Sequence, residues 1–479
     1  ITFILIGLAV FRWSWRLVGV MGVLAGFTIL SFYSVVAGWT IGFAVKSATG
    51  ALKLDVQKQP SEILAAVLFD HIHAVPEPAE AMIEAQDLSA DALETRLKQA
   101  KRQMVTAFIQ QQTKQSTPTN LLDMKDQAFK VAAIAALAQI PRATLETHVL
   151  TFYGGPGAQA RSRDNGHETT QALSTALAGA HFSEFINTPR LAVTFHLIFM
   201  LITTGIVALG VQRGIEAASK ILMPVLILLL MLLIVRALTL PGASEGVRFF
   251  LSPDFSKLNT ESVLIALGHA FFSLSLGMGA MITYGSYVRK DQNLFVSALS
   301  ITGLDTLIAL MAGLAIFPAV FAEGFEPSAG PGLVFQVLPA VFHRMHLGAF
   351  WGTLFFVLLL VAALTSAISL LEVVTAYFVD ERNWSRARAA CVFGTVIFAV
   401  GSLCAISIGD WDRLPWMDKG IRWAYSTNRA SFFDLMDMMS SNWMLPLGGL
   451  FISVFVGWVW GTKQAIQEII DFGNCRREG

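Results

Sequence analysis

The chain has 479 residues, 54% of them apolar and only 14% charged, where soluble globular domains carry about a quarter charged residues. Its 34 lysines and arginines balance 34 aspartates and glutamates, which excludes a nucleic-acid binder, and its three cysteines make neither a disulfide framework nor a metal-ligand spacing. Disordered chains, coiled coils and single soluble enzyme domains are likewise excluded, leaving an all-α multi-spanning membrane protein embedded in the lipid bilayer.

Residues 1–16 open on the apolar run ITFILIGLAVF. At about eleven residues it is too short to span a bilayer, which takes about twenty. It also lacks the basic leader and cleavage site of a signal peptide. The expectation is that the sequence begins inside a larger protein. The first span covers 17–45, with Tyr33 at mid-depth in ILSFYSVVAGW. A buried tyrosine hydroxyl needs a partner, ligand or backbone.

Residues 46–188 are long, polar and rich in alanine and glutamine, and read as an extracytoplasmic insertion, partly helical. Ser89 is the expected N-cap of one helix, and a flexible tail is expected near 153–167. His71 and His73 read either as metal ligands on one face of a strand or as a solvated pair.

Two spans follow within 189–261, at 190–210 and 220–240. Five more lie within 262–460, at 262–288, 293–322, 347–376, 387–408 and 436–460, ahead of a cytoplasmic tail at 461–479. That makes about eight spans, all helical, because a hydrocarbon core admits only helices and closed barrels. Basic residues sort onto one side of this arrangement: Arg12 and Arg16, Arg213 and Lys220, Arg289 and Lys290, then Arg382, Arg386 and Arg388. That side is expected to face the cytoplasm. The connector 409–435 breaks the trend with Arg413, Lys419, Arg422 and Arg429.

Three of these spans carry chemistry. In 268–288, Ser273, Ser275, Gly277 and Gly279 crowd the middle. Two readings stand: a discontinuous helix exposing backbone to a cavity, or a small-residue packing face. The next span carries Asp305 well inside an apolar stretch, where a carboxylate is costly unless it binds a cation, exchanges a proton or forms an ion pair. The span 347–376 holds Thr365, Ser366 and Ser369, oxygen ligands suited to a hard cation, or hydroxyls back-bonded to their own helix. It also holds Glu372, an intramembrane acid with no basic partner evident from sequence. No nucleophile or metal arrangement supports an enzyme.

The segments ILSFYSVVAGWT, GVQRGIEAASKILMP, FFSLSLGMGAMITYGSYVRKD, DTLIALMAGLAIFPAVF, GPGLVFQVLPAVF, LTSAISLLEVVTAYFVDE and FFDLMDMMSSNWMLPLGG occur in this order. Together they resemble bacterial members of the neurotransmitter:sodium symporter family, over about 17–46 and 185–465. The resemblance implies a fold of five plus five inverted-repeat helices and Na⁺-driven uptake of amino acids, with no cofactor beyond the coupling ion. On it, the first span is the family's helix three, 189–261 holds helices four and five, and 262–460 holds helices six to ten.

Residue by residue, the resemblance places Tyr33 at the substrate carboxylate, Phe272 as the aromatic lid, and Ser275 and Met278 in the pocket. Ser273 and Asp305 match the first sodium site, and Ala362 (through its carbonyl), Thr365 and Ser366 the second. Asp437 matches the acid of the extracellular gate. Asp305 stands where some relatives carry asparagine, which implies independence from the chloride that animal members need. His269 replaces a usual glutamine and reads as a neutral hydrogen-bonding imidazole.

Helices one and two of the family find no counterpart here, nor does the eleventh, so the chain is expected to be truncated at both ends. Residues 1–479 alone are then expected not to bind amino acid with Na⁺, and the alternative is a non-transporting remnant or membrane scaffold. The identity of the amino acid and the oligomeric state are not legible.

Overall fold

A computed structural model describes residues 15–52, 54, 61–74, 99, 102–111, 126–154, 165–289, 292–325, 330–408 and 431–474. Within these the secondary structure is helical, with no strand. Ser89 and residues 155–164 of the expected flexible tail lie outside the described residues. His71 and His73 fall on a helix rather than a strand.

Seven helices among the described residues are long and apolar enough to cross a membrane. They are α1 (Arg16–Ala48), α6 (Pro189–Ala208), α7 (Val211–Leu238), α11 (Leu294–Ala322), α13 (Gly348–Arg382), α14 (Arg386–Ile408) and a last segment, α15, within Phe432–Ile470. The eighth expected span, 262–288, is present as two short helices, α9 (Thr260–Ser273) and α10 (Ala280–Tyr287). Local chemistry sets the ends. Pro189 occupies the first turn of α6, where its missing N–H costs nothing. Asn259 and Ser262 close a reciprocal capping box at the start of α9.

The chain divides into two compact units, one of 1–45, 188–322 and 353–479, the other of 46–187 and 323–352. In the first, α6 packs along α14, while α7 and the short α8 (Ala243–Leu251) pack along α11. His196 of α6 is fully buried, and its Nε2 lies 2.9 Å from the Ser34 hydroxyl of α1. Ser34 already donates its proton to the Leu30 carbonyl, so the imidazole donates through Nε2–H and its Nδ1 holds a lone pair.

The second unit is a helical cluster of α2 (Ser61–Ala74), α3 (Asp126–Leu137), α4 (Arg142–Gly154), α5 (Asn165–Ile186) and α12 (Leu333–Arg344). Leu64, Leu68, Phe129, Leu145, Leu177 and Phe185 are buried within it. Phe182 of α5 stacks on Phe335 of α12, centroids 5.1 Å apart and planes 4° from parallel. Helices α2 to α5 therefore share one core with the connector between α11 and α13.

At the end of α5, Glu184 lies 3.7 Å from His181 and 3.9 Å from Lys46. The hydrogen bond from His181 chiefly, and the charge of Lys46 with it, hold the carboxyl below the ordinary 4.5. A carboxylate favoured in the fold contributes stability above its unfolded pKa and loses it as pH falls. The difference in thermal midpoint between the wild type and Glu184→Gln should therefore shrink as pH falls below about 4.5. A difference that does not vary with pH would show that the carboxylate is idle.

Candidate functional site

The centre of the site is the interruption between α9 and α10. Ser275, Gly277 and Gly279 all have positive φ (55°, 80° and 79°), so the backbone leaves the helical path there. Gly277 and Gly279 adopt this conformation without strain, whereas Ser275 does so against a cost of about 1–2 kcal/mol. The amides of Leu274, Ser275 and Leu276 turn back onto the carbonyls of Ala270, Phe272 and Phe271. The carbonyls of residues 273–278 accept no backbone hydrogen bond among the described residues. Of the two readings the sequence allowed, the discontinuous helix is the one the backbone adopts.

Backbone contacts on two sides hold the break. A Cβ on Gly448 would stand 2.5 Å from the Gly277 carbonyl oxygen. On α1, a Cβ on Gly22 would stand 3.2 Å from the Gly279 backbone, and one on Gly26 3.5 Å from the Met278 carbonyl. Gly22, Gly26 and Tyr33 share one face of α1 by helical periodicity. Gly26 also approaches Leu370 and Val373 of α13, so the break, the tyrosine helix and the hydroxyl-bearing helix meet there.

The expected ligands fall into two groups. Ser273, in the last turn of α9, donates to the Asp305 carboxylate of α11 at 2.5 Å. Asp305 is half-buried and makes no ion pair among the described residues. On α13, Thr365 and Ser366 both donate to the Ala362 carbonyl, at 2.8 and 3.4 Å, which gathers three oxygens at one point. These two bonds are also the back-bonding that isolated helical hydroxyls make.

The remaining residues are placed more loosely. Met278 is buried, while Phe272 and Ser275 are half-buried beside the break. Asp437 is exposed near the start of the last apolar segment and accepts from Ser441 one turn on, at 2.8 Å. His269 is exposed on α9.

A third cluster was not legible. Glu372, which the sequence leaves without a basic partner, is fully buried and pairs with Arg386 at the start of α14, whose Nη1 lies 2.8 and 2.6 Å from the two carboxylate oxygens. Tyr287, the last residue of α10, donates to the same carboxylate at 2.6 Å. The usable signal was an arginine at the first position of the next span, beside a deep acid that needed a cation.

The family model described as the sodium:neurotransmitter symporter family matches residues 188–476. The chain belongs to this family. An uncharacterized sodium-dependent transporter of Bacillus subtilis, YhdH, is 44% identical over 303 residues, 63% of this chain and 65% of that protein. A Haemophilus influenzae protein also named as an uncharacterized sodium-dependent transporter is 40% identical over 276 residues, 57% of this chain and 58% of that protein. The chain thus spans under two thirds of these relatives. The crystal structure of MhsT in complex with L-phenylalanine superposes with a TM-score of 0.61 at 34% identity, covering 96% of this chain and 78% of that one. Within this symporter family the present chain is a multi-pass membrane protein, and the family model begins at residue 188.

Glu372→Gln removes the charge that compensates Arg386. Glu372 is buried and Arg386 only partly so, and removing the carboxylate leaves the guanidinium without its charge partner, which should be read as a lowered unfolding midpoint. The double variant Glu372→Leu/Arg386→Leu should recover most of the loss. Equal destabilisation by the single and double variants would contradict the pairing.

Proposed function

We propose that the protein is a Na⁺-coupled symporter importing amino acids, and that it works without chloride. The observation that carries this reading is the interrupted span, whose turn brings Ser273 onto Asp305 while leaving the carbonyls of 273–278 without backbone partners. Na⁺ is a hard cation that gives up its water only for oxygens held at close range. The Asp305 carboxylate, the Ser273 hydroxyl and nearby main-chain carbonyls are such a set. Ala362, Thr365 and Ser366 form a second, neutral one. The fixed charge of Asp305 offsets the cation directly, and this is the physical ground for chloride independence.

The amino acid is proposed to lie against the break. The N-terminus of α10 carries a partial positive charge suited to a carboxylate, and the Tyr33 hydroxyl adds a donor. Phe272, Ser275 and Met278 line the side-chain pocket, which favours apolar amino acids; MhsT, the solved relative, was crystallised with L-phenylalanine. Asp437 is assigned to the outer gate. The Tyr287–Glu372–Arg386 cluster joins α10, α13 and the start of α14, and its separation is proposed to accompany release on the opposite side. Since the relatives with the highest identities above are bacterial, the protein is assigned to the inner membrane, with the basic connectors inside and the 46–188 segment outside.

The test is uptake of radiolabelled amino acids by proteoliposomes carrying the product of the whole gene. Uptake should require an inward Na⁺ gradient, and Asp305→Asn should either weaken Na⁺ dependence or make transport depend on chloride. An unchanged ion requirement in Asp305→Asn would refute the assignment of Asp305.

A further inference from the structure

The last apolar segment is longer than a membrane requires. From 432 to 461 it holds 30 residues, about 45 Å of helix, against a hydrocarbon core of about 30 Å. A further helix, α16 (Thr462–Asn474), then begins behind Gly461, whose φ of 94° turns the chain. That length is enough to cross the bilayer before α16 starts.

Its sequence nonetheless has an apolar side. At 100° per residue, Ala465, Ile466, Ile469 and Ile470 fall within one arc and Lys463, Gln464, Gln467 and Glu468 within the opposite one. The three isoleucines are exposed, at 56%, 46% and 48%, so packing against α11 does not cover them. Aromatic side chains mark the same level: Trp15 meets Phe455 with centroids 5.6 Å apart, and Trp458 and Trp460 are exposed at 81% and 40%. Tryptophan gathers where acyl chains give way to headgroups.

We propose that α16 is an in-plane membrane anchor, lying at the lipid interface with Ile466, Ile469 and Ile470 on the acyl chains and Lys463, Gln464 and Glu468 in water. The occupant of the apolar face is the bilayer rather than a second protein, because the face continues directly from a lipid-crossing segment through an aromatic collar. Within α16 one base, Lys463, stands against two acids, Glu468 and Asp471, so apolar contact rather than attraction to anionic lipid holds the helix, which should seat on zwitterionic bilayers at least as well as on anionic ones.

The test places nitroxide labels singly at positions 464, 466, 468, 469 and 470 of the full chain, with Cys391, Cys404 and Cys475 replaced, in nanodiscs of zwitterionic lipid. Oxygen, which concentrates in the acyl region, should relax labels at 466, 469 and 470 more than a water-soluble nickel complex does. The reverse should hold at 464 and 468. Nickel access at all five positions would overturn the proposal, as would exclusion of both reagents from the isoleucine face with dipolar broadening between copies. A second measurement needs no substitution: an acyl chain bearing a diazirine, activated around the unaltered protein, should label the 464–470 peptide on isoleucine. Absence of label there, with labelling of α11 as the positive control, would equally refute it.

Discussion

The structure turns on a helix broken in the middle of an apolar span. A carbonyl deprived of its partner in apolar surroundings costs roughly 1–3 kcal/mol, which is why membrane spans are normally unbroken helices. Between Ser273 and Ala280 this chain gives up that regularity over six residues. Glycines at 277 and 279 lower the conformational cost, and the amides of 274–276 find partners behind them. The carbonyls do not, and they stand beside the Ser273–Asp305 contact. A charged ligand that takes up free acceptors is the simplest way for such a segment to recover what the break costs.

Everything around the break serves to hold it in one place. Gly448 admits the Gly277 carbonyl, and Gly22 and Gly26 admit the backbone of 278–279, so the segment is clamped by main chain rather than by flexible side chains. The first of these contacts comes from the last apolar segment and the others from α1. Because Tyr33 rides on the same face of α1, and Ser366 lies one turn from the Leu370 that Gly26 touches, the clamp also sets the spacing between the break and the hydroxyl group on α13. The buried Glu372–Arg386 pair holds the far end of α10 through Tyr287.

Much of this was readable from the amino acids because membrane constraints are severe. Seven spans follow from apolar length alone, and the eighth betrayed its break through serines and glycines in a row. An acid at 305 stands out in an apolar stretch. What was hidden depended on three-dimensional proximity. Nothing local says that Gly448 fits the Gly277 carbonyl, or that Arg386, at the head of α14, reaches an acid fourteen residues earlier. The union of the insertion with the 323–352 connector, sealed by Phe182 on Phe335, joins segments about 150 residues apart and leaves no periodic signature. His71 and His73 show the opposite error: a spacing that fits a strand was carried by a helix.

The central claim is that the broken span and Asp305 together hold a cation. Equilibrium binding of radioactive Na⁺ to the purified product of the whole gene, wild type against Asp305→Ala, tests it most directly. The account predicts that the substitution weakens Na⁺ binding at least about tenfold, equivalent to about 1.4 kcal/mol, with the folded protein otherwise intact. An isotherm unchanged by the loss of the carboxylate would contradict it and leave the break as a packing feature.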